Sequence, residues 1–134
     1  MQTTIKYARS SYLPYGGLIE AFKNFGFSKP EYTATGKIKK QTSGACKYAE
    51  VTLLMEIHKM QSTFSWEVPE EVIPSAYLDA VLTTIKALGY HSSGLGINFR
   101  IINGSYHEVD SSAFSFEIAT FRALSQILEF QTEN

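Results

Sequence analysis

Cysteine is nearly absent: Cys46 is alone among 134 residues. A disulfide within the chain is therefore impossible, and the expected setting is reducing and cytoplasmic. No apolar run approaches the roughly 18 residues of a membrane-spanning helix. The start, Met1-Gln2-Thr3-Thr4-Ile5-Lys6, has no signal-peptide apolar core. Neither sign of charge is in excess, since 12 Lys and Arg stand against 13 Asp and Glu. Any nucleic-acid contact must then come from a local patch rather than from the whole molecule. The phosphate-cradling pattern G-x-x-x-x-G-K-[ST] does not occur, so no nucleotide is expected. Cys46 with His58 or His91 lacks zinc-site spacing, and neither metal nor cofactor is expected.

What is present is a globular composition, 44% apolar and 13% aromatic, in a length that suits one ordinary domain. Residues 1–30 read as an N-terminal extension: a breaker cluster around Pro14, then a short helix over Leu18–Phe25. Residues 31–134 carry the domain. Tyr32, Ala34 and Ile38 mark a first strand. Ala49, Val51, Leu53, Met55 and Ile57 alternate with mostly polar residues in a second, with Leu54 the exception. Phe64–Val68 alternates again and is expected to pair beside the second strand.

Pro74 fits a first helical position, Leu78, Val81, Leu82, Ile85 and Leu88 form one stripe, and Gly89 fits the closing left-handed cap. A further strand has Leu95, Ile97, Phe99 and Ile101 inward and Asn98 and Arg100 outward. A last helix over roughly Ser112–Phe130 presents Phe114, Ile118, Phe121, Leu124 and Leu128. The order is β-β-β-α-β-α. Each strand hides one face and each helix one stripe, so the fold class is α+β: a two-layer sandwich of a mostly antiparallel four-stranded sheet with two helices on one face.

The connector Gly104-Ser105-Tyr106-His107-Glu108-Val109-Asp110-Ser111-Ser112 is richer in hydroxyls, carboxylates and imidazole than a turn requires. His107 at its tip has the chemistry to contact ribose, phosphate or a base face, with Tyr106 beside it. The plainer role is to order the loop by bonding Asp110 or a carbonyl. A hydrolytic triad from His107, Asp110 and Ser111 would need a coincidental fold-back. Asp110 or Ser111 is the expected N-cap of the last helix. Lys37, Lys39, Lys40 and Lys47 form the basic cluster, with Arg100 extending it from a neighbouring strand; the plainer reading is a solvated sheet face.

Residues 104–112 resemble the G-S-Y-H-x-V-D-S-S loop of domain IV of bacterial elongation factor G. Lys40-Gln41-Thr42-Ser43-Gly44-Ala45-Cys46-Lys47-Tyr48-Ala49-Glu50-Val51 is similar to its K-Q-S-G-G-R-G-Q-Y-G-H-V segment. Val72-Ile73-Pro74-Ser75-Ala76-Tyr77-Leu78-Asp79-Ala80-Val81 is similar to its V-I-P-x-x-Y-x-x-A-V helix start. The three matches come in order and cover roughly residues 32–130. The departures are Ala45 for Arg, Cys46 for Gly, Lys47 for Gln, and Ala113 for the glutamate after the paired serines.

The resemblance implies a left-handed β-α-β crossover, against the right hand found in about 98% of parallel connections. It further implies that the tips of residues 42–47 and 104–110 lie together, at the end that reaches the decoding site of the small ribosomal subunit in the elongation factor. It transfers an RNA- or ribosome-binding role to Ser43, Gly44 and Lys47 of the first loop and to Ser105, Tyr106, His107 and Asp110 of the second. Lys37, Lys39, Lys40 and Arg100 would support them. With Gln131-Thr132-Glu133-Asn134 as the last residues, the chain reads as a stand-alone domain IV-like protein lacking the GTPase domain. The expected function is non-catalytic binding of RNA or the ribosome in a translation-related role. The alternative is a diverged domain used for protein–protein association, with a homo-oligomer formed through an exposed sheet edge.

Overall fold

The alternation of small and large inward residues on the first two strands decides how the layers meet. In the computed structural model, which describes residues 7–41, 46–58, 61–88 and 96–131, the elements are α1 (Tyr15–Asn24), β1 (Glu31–Lys40), β2 (Lys47–His58), β3 (Thr63–Trp66), a 3₁₀ turn (Ser75–Tyr77), α2 (Leu78–Lys86), β4 (Gly96–Ser105) and α3 (Ala113–Ile127). The strands lie in the order β1-β2-β4-β3. β1 with β2 and β2 with β4 are antiparallel, whereas β3 runs parallel to β4.

The α+β sandwich is thus as expected, with one exchange of neighbours. The 63–66 strand pairs with β4 and not with β2, because the α2 crossover carries the chain back to lie between them. Pro74 precedes the 3₁₀ turn rather than starting the α-helix itself. Leu95 and the cap at Gly89 lie outside the described residues.

Ala34, Gly36 and Ile38 of β1 face the helices, and α3 lies on them with almost no clearance. A Cβ at Gly36 would stand 1.8 Å from the Ala119 carbonyl oxygen and 2.5 Å from the Ala123 nitrogen. Only hydrogen fits there. The close approach also lets α3 cover the outer edge of the sheet. Arg122 Nη1 donates to the Lys37 carbonyl at 2.8 Å, and Gln126 Nε2 donates to that of Thr35 at 2.8 Å. Two of the edge acceptors that would recruit a partner strand are therefore occupied.

The core runs between sheet and helices through Leu53, Met55, Ile97, Phe99, Ile101, Val81, Ile85, Phe116, Phe121 and Leu124. The N-terminal part joins it: α1 buries Tyr15, Leu18 and Phe22, and the Tyr15 ring meets Phe121 edge-on with centroids 5.2 Å apart. Its attachment point is Glu117 of α3, a carboxylate with 0% exposure. Tyr7 donates its phenol to Glu117, Tyr15 does so at 2.5 Å, and the Ser10 N–H lies 2.9 Å and 3.1 Å from the two carboxylate oxygens. A buried charge is tolerated only when so surrounded by donors. Among the described residues no helix is long and apolar enough to cross a membrane.

Two outcomes follow from this packing. Gly36→Ala should cost about 3 kcal/mol in denaturant unfolding, because the clash is with backbone. Gly16→Ala, whose Cβ would meet nothing within 4 Å, should leave stability unchanged or raise it by up to about 1 kcal/mol. Burial, reinforced by the bond to and charge of Glu117, pushes the Tyr7 and Tyr15 phenols up from their ordinary 10.0. Phenols held protonated in the folded state stabilise it fully below pH 10.0 and progressively less as pH rises from there. Stability measured from pH 8 to 11 should therefore fall above about pH 10, and the fall should be shallower in Tyr7→Phe.

Candidate functional site at the sheet tip

A one-residue irregularity in β4 sets up the tip. Leu53 pairs with Ile101 but Thr52 pairs with Asn103, leaving Ile102 as an extra residue. Because side chains alternate, one inserted residue turns everything after it to the opposite face. Ile97, Phe99 and Ile101 point to the core. After the bulge Gly104 opposes the inward Val51, and Ser105 opposes Glu50 on the open face. A Cβ at Gly104 would stand 2.3 Å from the Glu50 carbonyl oxygen and 2.5 Å from Ile73 Cδ1. The glycine is required there by close approach.

Ser105, so turned, meets Tyr48 of β2, with the two hydroxyl oxygens 2.7 Å apart. His107 lies flat on the Tyr48 ring, centroids 3.8 Å apart and planes 5° from parallel. The backbone of Tyr48 is tied down as well. Its N–H donates to the Asp110 carbonyl at 3.1 Å, and its carbonyl accepts from Ser111 Oγ at 2.7 Å and from Ser115 Oγ at 3.1 Å. Within the loop the His107 N–H donates to Ser111 Oγ at 2.9 Å, and the Ser111 N–H returns to the His107 carbonyl at 3.0 Å. The second loop is thus fastened onto the second residue of β2.

Helix α3 begins one residue later than expected. Ser112, not Asp110 or Ser111, is the N-cap, in a reciprocal box with Ser115. Ser111 is not free to cap because its hydroxyl already serves Tyr48 and His107. The same commitment leaves it no proton to give up as a nucleophile. Asp110 Oδ2 lies 3.7 Å from His107 Nδ1, longer than a hydrogen bond, so stacking rather than the carboxylate orients the imidazole.

A profile of the family described as elongation factor G, domain IV, matches residues 26–130. The chain belongs to that family. Elongation factor G from Orientia tsutsugamushi (strain Boryong) is 36% identical over 104 residues, covering 71% of this chain and 14% of that protein. The protein of the same name from Rhodopseudomonas palustris (strain BisB18) is 34% identical over 100 residues, 68% of this chain and 14% of its own length. This domain IV chain therefore spans about one-seventh, 14%, of these curated relatives. A crystal structure of a Thermus thermophilus protein superposes with a TM-score of 0.65 at 35% identity, covering 75% of this chain and 16% of that one.

The expected site residues of domain IV divide into three groups. Ser105, His107 and Asp110 come together around Tyr48, with His107 exposed, whereas Lys47, the residue before Tyr48, turns its side chain to the helix side of the sheet. Ser43 and Gly44 lie outside the described residues. Tyr106 and Arg100 are placed otherwise. Tyr106 packs against the hydrophobic cluster, since the bulge that sends Ser105 outward sends its neighbour inward. Arg100 is enclosed by acids on the open face: it donates to Glu67 through Nε at 2.7 Å and Nη2 at 2.8 Å, and to Glu56 through Nη1 at 3.0 Å.

The Arg100 bonds hold the Glu67 carboxyl down at about 2. An arginine so matched has little charge to offer a phosphate. Lys37 is likewise 3.7 Å from Glu50 and 5.6 Å from the Tyr48 ring centroid. Lys39, Lys40 and Lys47 make no ion pair among the described residues.

Two features escaped the sequence pattern. Tyr48 reads as one more outward strand residue, and nothing local marks it as the hub. Val109 sits at the loop apex, 90% exposed, where a buried role would be assumed for a valine. Among the described residues no three His, Cys, Asp or Glu side chains converge as a metal site would require. Ser111→Ala should cost about 1 kcal/mol by removing the hydrogen bonds that its hydroxyl makes to the Tyr48 carbonyl and from the His107 N–H. It should also release the His107 ring, visible as a downfield shift of its NMR resonances once the Tyr48 ring no longer shields them. Unmoved resonances would show that stacking does not depend on Ser111.

Proposed function

We propose that this chain binds RNA or the ribosome through its tip, in a translation-related role, and carries out no chemistry there. The observation that carries the reading is the fastening of residues 105–111 onto Tyr48, which presents an exposed imidazole at one end of the sheet, the end at which Lys47 opens β2 on the helix side. A histidine held flat on a tyrosine is pre-ordered. Contact with a base or ribose then costs little further side-chain entropy. Lys47 supplies the charge and His107 the planar contact, with Ser43 and Gly44 assigned to the same end through the family motif.

The association reading finds less support, because the β1 edge acceptors at Thr35 and Lys37 are already taken by Gln126 and Arg122. The restricted tip chemistry also agrees with a part that recognises rather than reacts.

Ribosome pelleting across a salt series tests the proposal. The bound fraction should fall as salt rises, as expected when phosphate contacts release counterions. His107→Ala should weaken binding about fivefold or more, the usual effect of losing one stacking partner, and Lys47→Ala should also flatten the salt dependence by about one phosphate contact. If neither substitution changes the pelleted fraction, this tip is not the binding site.

A further inference from the structure

Beside the tip, on the helix side of the sheet, a groove of about 720 Å³ opens between the end of β1 and the first half of α3. Its volume falls in the range of about 300–1,000 Å³ typical of small-ligand clefts. Four cations, Lys39, Lys40, Lys47 and Arg122, line it, and among the described residues no carboxylate does. Two aromatic rings complete it: Phe114, half-buried, and Tyr12, 88% exposed.

Tyr12 is not there by chance. Glu117 holds the Ser10 N–H, and Ser10 Oγ in turn accepts from the Tyr12 N–H at 3.0 Å. The buried carboxylate thereby fixes the N-terminal segment so that it walls the groove. The Tyr12 backbone is thus held while its ring stays exposed.

We infer that this groove binds unpaired RNA, with phosphates along the lysines and Arg122 and a base stacked on Tyr12 or Phe114. Charge selects a polyanion, and interleaved aromatic and basic side chains select one with exposed planar bases, the pattern of single-strand binding surfaces. The inference rests on the tip reading only in that Lys47, which lines the groove, directly precedes Tyr48 in β2, so a strand leaving the tip can continue into the groove. It gives the N-terminal segment a role: one wall of a second contact surface.

The test uses fluorescence anisotropy of a short labelled oligouridylate with the full chain, across a salt series. Tyr12→Ala, at an exposed position, should weaken binding about fivefold or more. Lys39→Gln and Lys40→Gln together should lower the slope of log affinity against log salt by about 0.7 for each lysine removed. An RNA duplex of equal length should bind more weakly, because its bases are not available to stack.

Oligouridylate affinity unchanged by these substitutions, or no binding at low salt, would overturn the groove. So would equal binding of the duplex, or displacement of the RNA by polyglutamate at matched charge, which would mark the surface as a general anion or acidic-peptide site. Circular dichroism of each variant confirms that a loss is not unfolding. Failure of the tip reading is distinguishable: it appears as ribosome pelleting indifferent to His107→Ala, whatever the oligouridylate does.

Discussion

Tyr48 is the point on which the functional end of the molecule depends. Its N–H and carbonyl bind the 110–115 segment, its hydroxyl meets Ser105, and its ring carries His107. Residues far apart in sequence are joined there by groups from one residue, so the loop and the strand end behave as a single piece. This geometry exists only because β4 inserts Ile102 and so reverses the faces of Ser105 and Tyr106. A regular strand would bury the serine and expose the tyrosine, and the stack would have no support.

A second constraint works from the other layer. Gly36 lets the backbone of α3 come down onto β1, and from that position Glu117 reaches the N-terminal segment while Arg122 and Gln126 reach the sheet edge. One helix therefore organises the core, protects the edge and holds residues 7–15. The buried carboxylate is stable because every contact to it is a donor. Its consequence at the surface is the placement of Tyr12 beside Lys39, Lys40 and Lys47.

Electrostatics then separate two faces that look alike in composition. On the open face Arg100 and Lys37 stand against Glu56, Glu67 and Glu50, and the charges largely cancel. Toward the tip and the β1–α3 groove, Lys39, Lys40, Lys47 and Arg122 meet no such acids among the described residues. A chain of formal charge −1 can thus present a local basic surface, which is what the tip and the groove require.

The α+β class, the β2 and β4 faces, the α3 stripe and the family motifs were legible in the residue order. Each rests on a period of two or 3.6, or on residues close in the chain, and such patterns are local. Of the candidate site, the loop residues Ser105, His107 and Asp110 could be named from the sequence as a proposal, whereas their gathering around Tyr48, the inward turn of Tyr106 and the acid partners of Arg100 could not. The pairing of β3 with β4, the hub at Tyr48 and the buried Glu117 belonged to tertiary structure alone. Strand order, a one-residue insertion and the partners of a buried charge are decided by residues dozens of positions away, and no periodicity within a segment records them.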